Sequence, residues 1–92
     1  MIVTRVAIED FDRFLGVFST RRAEKRAQHG SRGARVFRVA DDPNAVVVLF
    51  DWDRAGFEGF LQDPEVPDIM AAAGLREPPI ATYVEEAATV AS

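Results

Sequence analysis

The chain has no cysteine, a single histidine and no long apolar run among its 92 residues. Without cysteine it has no disulfide, no thiolate nucleophile and no cysteine-ligated zinc. Its longest uninterrupted apolar stretch, residues 45–50, is far shorter than a membrane-spanning helix needs. The first residues lack the basic segment and apolar stretch of a secretory signal. We therefore expect a cytoplasmic protein with no membrane partner.

Residue types that hold metals or cofactors are equally sparse. His29 is the only imidazole in the chain. Carboxylates occur as neighbouring pairs without further ligands close by, at Asp41 and Asp42 and at Asp51 and Asp53. Such isolated pairs are weak signals for a metal. The sequence also has no nucleophile elbow and no dinucleotide-binding or phosphate-binding glycine motif. We expect no metal and no cofactor.

The formal charge of −4 is the remainder of an uneven distribution. Residues 1–40 hold 9 basic and 4 acidic side chains, whereas residues 41–92 hold 2 basic and 11 acidic ones. Either the two halves attract each other within the fold or across a dimer, or the basic half receives an anionic partner. The cluster of Arg21, Arg22, Lys25 and Arg26 falls late in a predicted helix, where cations suit the helix dipole.

A nucleic-acid partner is not expected. Domains of the same strand and helix order that bind RNA stack bases on aromatic residues of their central strands. Here the first strand has no aromatic residue, the third is acidic at its end, and the isoelectric point is about 4.9.

Hydrophobic periodicity and capping residues predict alternating strands and helices. Phe14 and Phe18 belong to an apolar face at helical spacing that follows the N-cap residue Asp10. The predicted elements are a strand over 2–8, a helix from 11 to a stop at 30, strands over 34–40 and 45–53, a helix over 54–62, a helix capped at 63 and ending at 74, and a strand over 80–86.

This βαββαβ order predicts one ferredoxin-like α+β domain over residues 1–92, a four-stranded antiparallel sheet with helices on one face. Its last residues, 87–92, are expected to be frayed. The third strand does not alternate, because residues 46–50 are all apolar, so both faces of the sheet need cover. The helices can cover only one face. We therefore predict a homodimer in which two sheets pack face to face.

Motifs along nearly the whole chain, residues 2–86, resemble the dimeric α/β-barrel superfamily, and most closely its small antibiotic-biosynthesis-monooxygenase-like proteins. The resemblance is carried by residues 10–14, 35–38, 42–44, 48–53, 57–60, 63–66, 69–70 and 73–74. It implies a ferredoxin-like chain that forms a dimeric α/β barrel. The superfamily includes quinone-forming monooxygenases, haem-degrading enzymes, polyketide cyclases and lactone isomerases, so the fold alone does not decide the activity.

The resemblance disfavours haem degradation. Haem-degrading members use an Asn on the first strand, a Trp on the second helix and a His about ten residues later. By approximate matching this chain has Thr4, Phe60 and Met70 at those places, and none of the three family residues is kept. The single His29 lies instead at the end of the first predicted helix.

The cofactor-free monooxygenases of the superfamily imply an apolar cleft with a few polar groups that bind, orient and deprotonate an aromatic substrate. The candidate pocket residues are Trp52, Tyr83, Arg38, His29, Phe14, Phe18, Phe60 and Met70. Each also has a purely structural interpretation, as core, dimer contact or helix end.

Two functions stay open at this point. The first is binding of a small apolar or aromatic ligand, with cofactor-independent oxidation or cyclisation of an aromatic or polyketide-like compound. The alternative is a non-catalytic ligand-sensing or dimerisation module. Arg38, in a mostly apolar strand, needs a carboxylate or water. It either pairs with Asp51 across the strands or binds an anionic group of a substrate.

Overall fold

The computed structural model describes residues 1–91 as four strands and four helices. The elements are β1 (Ile2–Ala7), α1 (Phe11–Phe18), α2 (Arg21–Gln28), β2 (Gly33–Arg38), β3 (Ala45–Asp51), α3 (Arg54–Gln62), α4 (Val66–Ala72) and β4 (Ile80–Tyr83). The strands form one antiparallel sheet in the order β2-β3-β1-β4. The predicted ferredoxin-like α+β fold is confirmed.

The buried core lies between this sheet and the helices. On the central strands β1 and β3, alternate residues such as Ile2, Val6 and Phe50 are at most 3% exposed. They pack with aromatic side chains of α1 and α3 in one cluster that includes Phe14 and Phe57. The alternation follows from the strand period of two, which directs every second side chain toward the helices.

The predicted single helix to residue 30 is wrong, because the chain forms two helices that meet at Ser19 and Thr20. The Ser19 hydroxyl donates to the Leu15 carbonyl at 2.6 Å, and the Thr20 hydroxyl donates to the Gly16 carbonyl at 2.7 Å. These side chains satisfy the carbonyl groups at the end of α1, where the helical backbone bonds stop.

The start of α4 was also predicted too early. The Asp63 carboxylate accepts the Glu65 backbone N–H at 2.9 Å, so residues 63–65 form a turn and the helix begins at Val66. Pro67 lies in the first turn, where a missing N–H costs nothing. Gly74, at φ +77°, follows the end of the helix as predicted.

The strands are shorter than predicted at several ends. β2 ends at Arg38, β3 at Asp51 and β4 at Tyr83, before the predicted ends at 40, 53 and 86. In the predicted tail, residues 87–91 carry no helix or strand, and Ser92 lies outside the described residues. Over the described chain, no helix combines the length and apolarity that crossing a membrane requires.

The other face of the sheet has no helix against it. Val47 and Leu49 of β3 lie there half-buried, with Phe37 of β2 beside Val47, and Ile80 of β4 lies on the same face beyond Arg5 of β1. Phe37 is 43% exposed and Ile80 is 68% exposed in the single chain. The prediction that β3 is apolar on both sides is confirmed, because the chain's own helices cover only one of them.

Candidate functional site

A small cavity lies between the helices and the covered face of the sheet. Its volume is about 10 Å³, which is room for about one water molecule. It is lined by Thr4, Val6, Phe14, Phe18, Arg22, Val48, Phe50, Phe57, Met70 and Pro79. Thr4 and Arg22 are the polar side chains in an otherwise apolar and largely aromatic wall.

Two arginine side chains of α2 are buried beside this cavity. Arg22 is 4% exposed and Arg26 is 7% exposed. Within residues 1–91, Nε and Nη1 of Arg22 and Nη1 of Arg26 have no hydrogen-bond partner. Buried donors of this kind are rare in folded proteins, and buried arginines are normally paired with an acid.

The two guanidinium groups rest on aromatic rings rather than on carboxylates. Cζ of Arg26 lies 3.8 Å from the centroid of the Phe18 ring, and Cζ of Arg22 lies 5.4 Å from the same centroid. Arg22 also lies 5.9 Å from the centroid of Phe60, and Arg26 lies 5.9 Å from that of Phe50. Cation–π attraction offsets part of the cost of burying these charges.

Burial dominates the electrostatics of this pair. Desolvation, together with the smaller effect of repulsion from Arg26, lowers the pKa of Arg22 to about 10. Desolvation also lowers the pKa of Arg26 to about 10. Both values lie well above neutral pH, so the interior holds two positive charges, and no carboxylate of residues 1–91 pairs with them.

Thr4 supplies the other polar group of the cavity. Its side chain is 2% exposed, and its hydroxyl donates to the Val48 carbonyl at 3.5 Å, which is a long and weak hydrogen bond. The hydroxyl oxygen therefore keeps acceptor capacity toward the cavity.

An open apolar groove of about 520 Å³ adjoins the cavity on the α4 side. It is lined by Leu61, Val66, Pro67, Met70, Ala71, Leu75, Arg76, Glu77, Pro78 and Pro79. Met70 and Pro79 line both the groove and the cavity, so they form the wall between them. An unbranched methionine can change rotamer readily, which makes this wall the natural place for the two spaces to join.

The structure brings three of the predicted pocket residues to the cavity and leaves the others outside its wall. Phe14, Phe18 and Met70 line it. Trp52 and Phe60 are buried in the aromatic cluster behind it, with ring centroids 5.2 Å apart.

Tyr83 is 38% exposed and packs edge-on against Phe57 with centroids 6.2 Å apart. Arg54 covers its ring, with Cζ 4.5 Å from the centroid.

His29 belongs to a polar network at the end of α2. Its backbone carbonyl accepts from Trp52 Nε1 at 2.9 Å, and its ring Nε2 lies 2.9 Å from Asp63 Oδ2. The same carboxylate oxygen accepts from Lys25 Nζ at 3.1 Å, and Lys25 also pairs with Glu65. The His29 hydrogen bond, the Glu65 N–H and Lys25 together lower the pKa of Asp63 to about 2. This network ties α2 to the turn before α4.

The predicted pairing of Arg38 with Asp51 is wrong. The register of β2 and β3 places Arg38 opposite Val46 and places Asp51 opposite Gly33, at the other end of the hairpin. Arg38 instead lies over the Phe11 ring, with Cζ 4.6 Å from the centroid, and Asp51 pairs with Arg32 at 2.9 Å. Arg38 is exposed at the edge of the sheet and does not line the cavity.

The buried arginines are the site residues that the sequence reasoning missed, because it interpreted the charged cluster as the end of a solvated helix. The sequence signal that could have revealed their burial is the spacing of residues along the helix. Phe14, Phe18, Arg22 and Arg26 follow one another at intervals of four, so the stripe that buries the two phenylalanines continues through the two arginines.

Carboxylates and imidazoles do not gather into a metal-binding cluster in the part of the chain that the structure describes. No group of three or more His, Cys, Asp or Glu side chains with suitable placement occurs there.

No family model and no curated protein matches the chain. Solved structures do match over almost its whole length. SnoaB, a cofactor-independent oxygenase from Streptomyces nogalater, is 22% identical with a TM-score of 0.69, covering 94% of this chain and 92% of that one. The ActVA-Orf6 monooxygenase of Streptomyces coelicolor, solved with nanaomycin D, is 19% identical with a TM-score of 0.64, covering 99% and 90%.

A third structure, described as an antibiotic biosynthesis monooxygenase, is 20% identical with a TM-score of 0.58, covering 95% of this chain and 97% of that one. The chain is thus a small α+β domain with the fold of the antibiotic-biosynthesis-monooxygenase-like proteins. At these identities the likeness defines the fold, and the chemistry has to be argued from the site.

Proposed function

We propose that the protein binds a small aromatic molecule between its sheet and helices and oxidises it without a cofactor. The observation that carries the proposal is the cavity itself, an aromatic-lined space whose polar groups are the guanidinium of Arg22 and the hydroxyl of Thr4. Apolar walls with a few convergent polar groups are the usual build of a site for a small organic molecule.

The fold supports the same proposal. SnoaB is a cofactor-independent oxygenase, and ActVA-Orf6 is a monooxygenase that was solved with a small-molecule ligand. The match to this chain covers 92% of SnoaB and 90% of ActVA-Orf6. An aromatic or polyketide-like substrate is the class that fits these neighbours and the phenylalanine-rich wall.

The residues of this site would mainly bind and orient the substrate. Phe14, Phe18 and Phe57 offer ring faces and edges to an aromatic system, and Arg22 offers N–H donors to an oxygen that bears negative charge. An oxygenation of this kind consumes one O₂ and a substrate CH₂ group and yields a carbonyl group and water. An electron-rich aromatic anion can supply the electrons, so the protein need not hold a redox group.

Binding requires the cavity to enlarge. A dry apolar cavity that accepts benzene has a volume of about 150 Å³, so the present 10 Å³ cannot hold an aromatic ring. Movement of Met70 would join it to the 520 Å³ groove, and the combined space suits a polycyclic compound.

We further propose that two copies pair through their open sheet faces. The half-buried Val47 and Leu49 and the exposed Phe37 form an apolar patch on the uncovered side, with Arg5 between this patch and the exposed Ile80. Burying such a surface is favourable by roughly 25 cal/mol per Å². We also propose a cytoplasmic location, which the cysteine-free sequence supports.

The test of the proposed activity is oxygen consumption with an anthrone that carries phenolic hydroxyl groups. We expect one O₂ per anthrone and a quinone product, at a rate above that of buffer and of heat-denatured protein. Arg22→Met should lower the rate by about 100-fold, since it removes a donor from the charged oxygen. Arg21→Met, an exposed position on the same helix, should keep the rate.

A second candidate is ligand binding without catalysis. It is favoured by one observation, that the cavity wall contains no carboxylate and no imidazole that could remove a proton. Saturable binding of the anthrone with oxygen consumption no faster than in buffer would establish this alternative and refute the oxygenase.

A further inference from the structure

We propose that Arg22 and Arg26 together form a binding site for an organic anion, a carboxylate or an ionised phenol carried on an aromatic ring. The proposal rests on the proposed function and deepens it, because it names the charge that the ligand brings into the same site.

The two arginines have more unpaired donors than one water molecule in the cavity can satisfy. Nε and Nη1 of Arg22 and Nη1 of Arg26 are buried without an acceptor among residues 1–91. The adjoining cavity holds about one water, whose two lone pairs accept at most two of these hydrogen bonds. A carboxylate has about four acceptor sites, and a phenolate oxygen carries a full charge that strengthens each bond it accepts.

The carboxylates of the chain pair with other cations than the two buried arginines. Among residues 1–91, the exposed Arg13, Arg32 and Arg54 have carboxylate partners, the remaining exposed arginines have none, and Lys25 of α2 pairs with Asp63 and Glu65. In the chain as described, the two most deeply buried arginines have none. An exposed arginine without a partner is solvated by water, whereas burial of a charge is ordinarily tolerated only when the charge is paired. The missing partner is therefore expected to arrive with a ligand.

The surroundings of the arginine pair are aromatic. Cζ of Arg26 lies 3.8 Å from the centroid of the Phe18 ring, a contact that uses none of the hydrogen-bond donors of the guanidinium. The neighbouring wall, from Phe14 to Phe57, is aromatic. An arene that bears an anionic oxygen is complementary to the aromatic wall and to the arginine pair. Its ring would contact the phenylalanines, and its charged oxygen would accept hydrogen bonds from the arginines.

The experiment compares ligands of one shape and different charge by titration calorimetry. The probes are 2-naphthoate, its neutral isostere 2-naphthamide, and 4-nitro-1-naphthol, which is ionised at neutral pH. The unmodified protein should bind at least one of the two anions about 10- to 100-fold more tightly than the amide, as expected for hydrogen bonds to a charged group. Stronger binding of naphthoate assigns the site to carboxylates, and stronger binding of the nitronaphthol assigns it to phenols.

Arg22→Met and Arg26→Met should each reduce this preference to less than about threefold, whereas Arg21→Met should retain it. For each variant, the affinity for the anion is divided by the affinity for 2-naphthamide. A variant that binds all ligands more weakly therefore keeps the same ratio. Where a methionine variant does not fold, the corresponding lysine variant is measured, and it should weaken the preference because an ammonium cannot donate two bonds in one plane.

Thermal unfolding of the ligand-free proteins gives an independent readout. Removing an unpaired buried charge should raise the melting temperature of Arg22→Met, by about 5 °C or more, and leave that of Arg21→Met unchanged. A lower melting temperature would show that the guanidinium already has a partner and would overturn the proposal. Equal affinity for both anions and the amide would also overturn it.

These outcomes are separable from those of the oxygenation test, because neither naphthoate nor naphthamide is oxidised. Anion preference without oxygen consumption refutes the oxygenase and leaves the anion site. Oxygen consumption without anion preference refutes the anion site and leaves the oxygenase.

Discussion

At the scale of single residues, Arg22 and Arg26 weaken the fold that they belong to. Burial and, as the smaller cause, repulsion from Arg26 lower the pKa of Arg22 from its usual range to about 10, which corresponds to roughly 3 kcal/mol of lost charge stabilisation. The cost is fully present below about pH 10 and shrinks above it as the side chain loses its proton. Residues that lower the stability of the fold and gain no compensating contact within it are characteristic of binding sites.

Asp63 has the opposite effect on stability, and its contribution depends on pH. Its pKa is about 2 instead of 3.8, because it accepts hydrogen bonds from His29, Glu65 and Lys25. Its stabilisation is therefore complete above about pH 4 and is lost as the pH falls toward about 2. Urea unfolding of Asp63→Asn should show lower stability than the unmodified protein near pH 6 and a smaller loss between pH 4 and 2.

The control for this pH series is Asp41→Asn, an exposed carboxylate in the turn after β2. Its acid-induced loss should match that of the unmodified protein. An unchanged acid profile for Asp63→Asn would mean that the network around His29 contributes nothing to stability.

Single residues were also where the sequence was hardest to interpret. Arg38 attracted interest as an arginine in an apolar strand, yet it lies exposed over Phe11, and the hairpin register separates it from Asp51. Arg22 and Arg26 passed as surface charge because composition does not show which charged side chains have carboxylates within reach. Only the packed structure shows that buried donors of both arginines have no acceptor among residues 1–91.

At the scale of elements, the approach of α2 to α3 depends on glycine. A Cβ at Gly56 would lie 2.6 Å from Trp52 Nε1 and would also clash with the His29 carbonyl, the two partners of the buried indole hydrogen bond. Gly59, one turn later, faces the His29 ring at 3.4 Å. The small residues of α3 thus set how close the end of α2 can come.

Gly56→Ala should lower the free energy of unfolding by about 2–3 kcal/mol, because it overpacks the contact and breaks the indole hydrogen bond. Gly16→Ala is the matched control, since no atom lies within 4 Å of its added methyl group. That variant should gain up to about 1 kcal/mol from helix propensity. Chemical denaturation followed by Trp52 fluorescence measures both. Equal stability of the two variants would refute the close approach.

Helices and strands could be predicted from the sequence where the spacing of apolar residues and the capping residues indicate the same boundaries. The four strands, α3, and the stop at Gly74 follow from such signals. The break between α1 and α2 was missed because the periodic stripe runs through it unchanged. Hydroxyl groups of Ser19 and Thr20 that cap the preceding carbonyls stop the helix without altering the pattern of apolar residues.

At the scale of the whole molecule, the sheet has one face covered by helices and one open face. Alternate residues of β3 belong to the two faces, with Val48 and Phe50 toward the helices and Val47 and Leu49 toward the open face. The non-alternating sequence of β3 predicted this division directly. The cavity was not predictable in the same way, because its size depends on how side chains from distant elements meet.

Leu49→Lys tests the proposed pairing of two open sheet faces. The unmodified protein should sediment at twice its chain mass of 10.2 kDa, and the variant should sediment as a monomer because a charge replaces the centre of the open face. Leu15→Lys, on the exposed side of α1, should not change the mass. A monomeric unmodified protein at micromolar concentration would refute the sheet-to-sheet pairing.

The central claim is that the interior beside α2 binds an aromatic anion through Arg22 and Arg26. The most direct measurement is a titration of ¹⁵N-labelled protein with 2-naphthoate, followed by NMR at the arginine Nε–H groups and assigned with the two methionine variants. The account predicts saturable shifts of the Arg22 and Arg26 signals, with that of Arg21 unmoved. Shifts confined to exposed arginines, or none at saturating naphthoate, would contradict it.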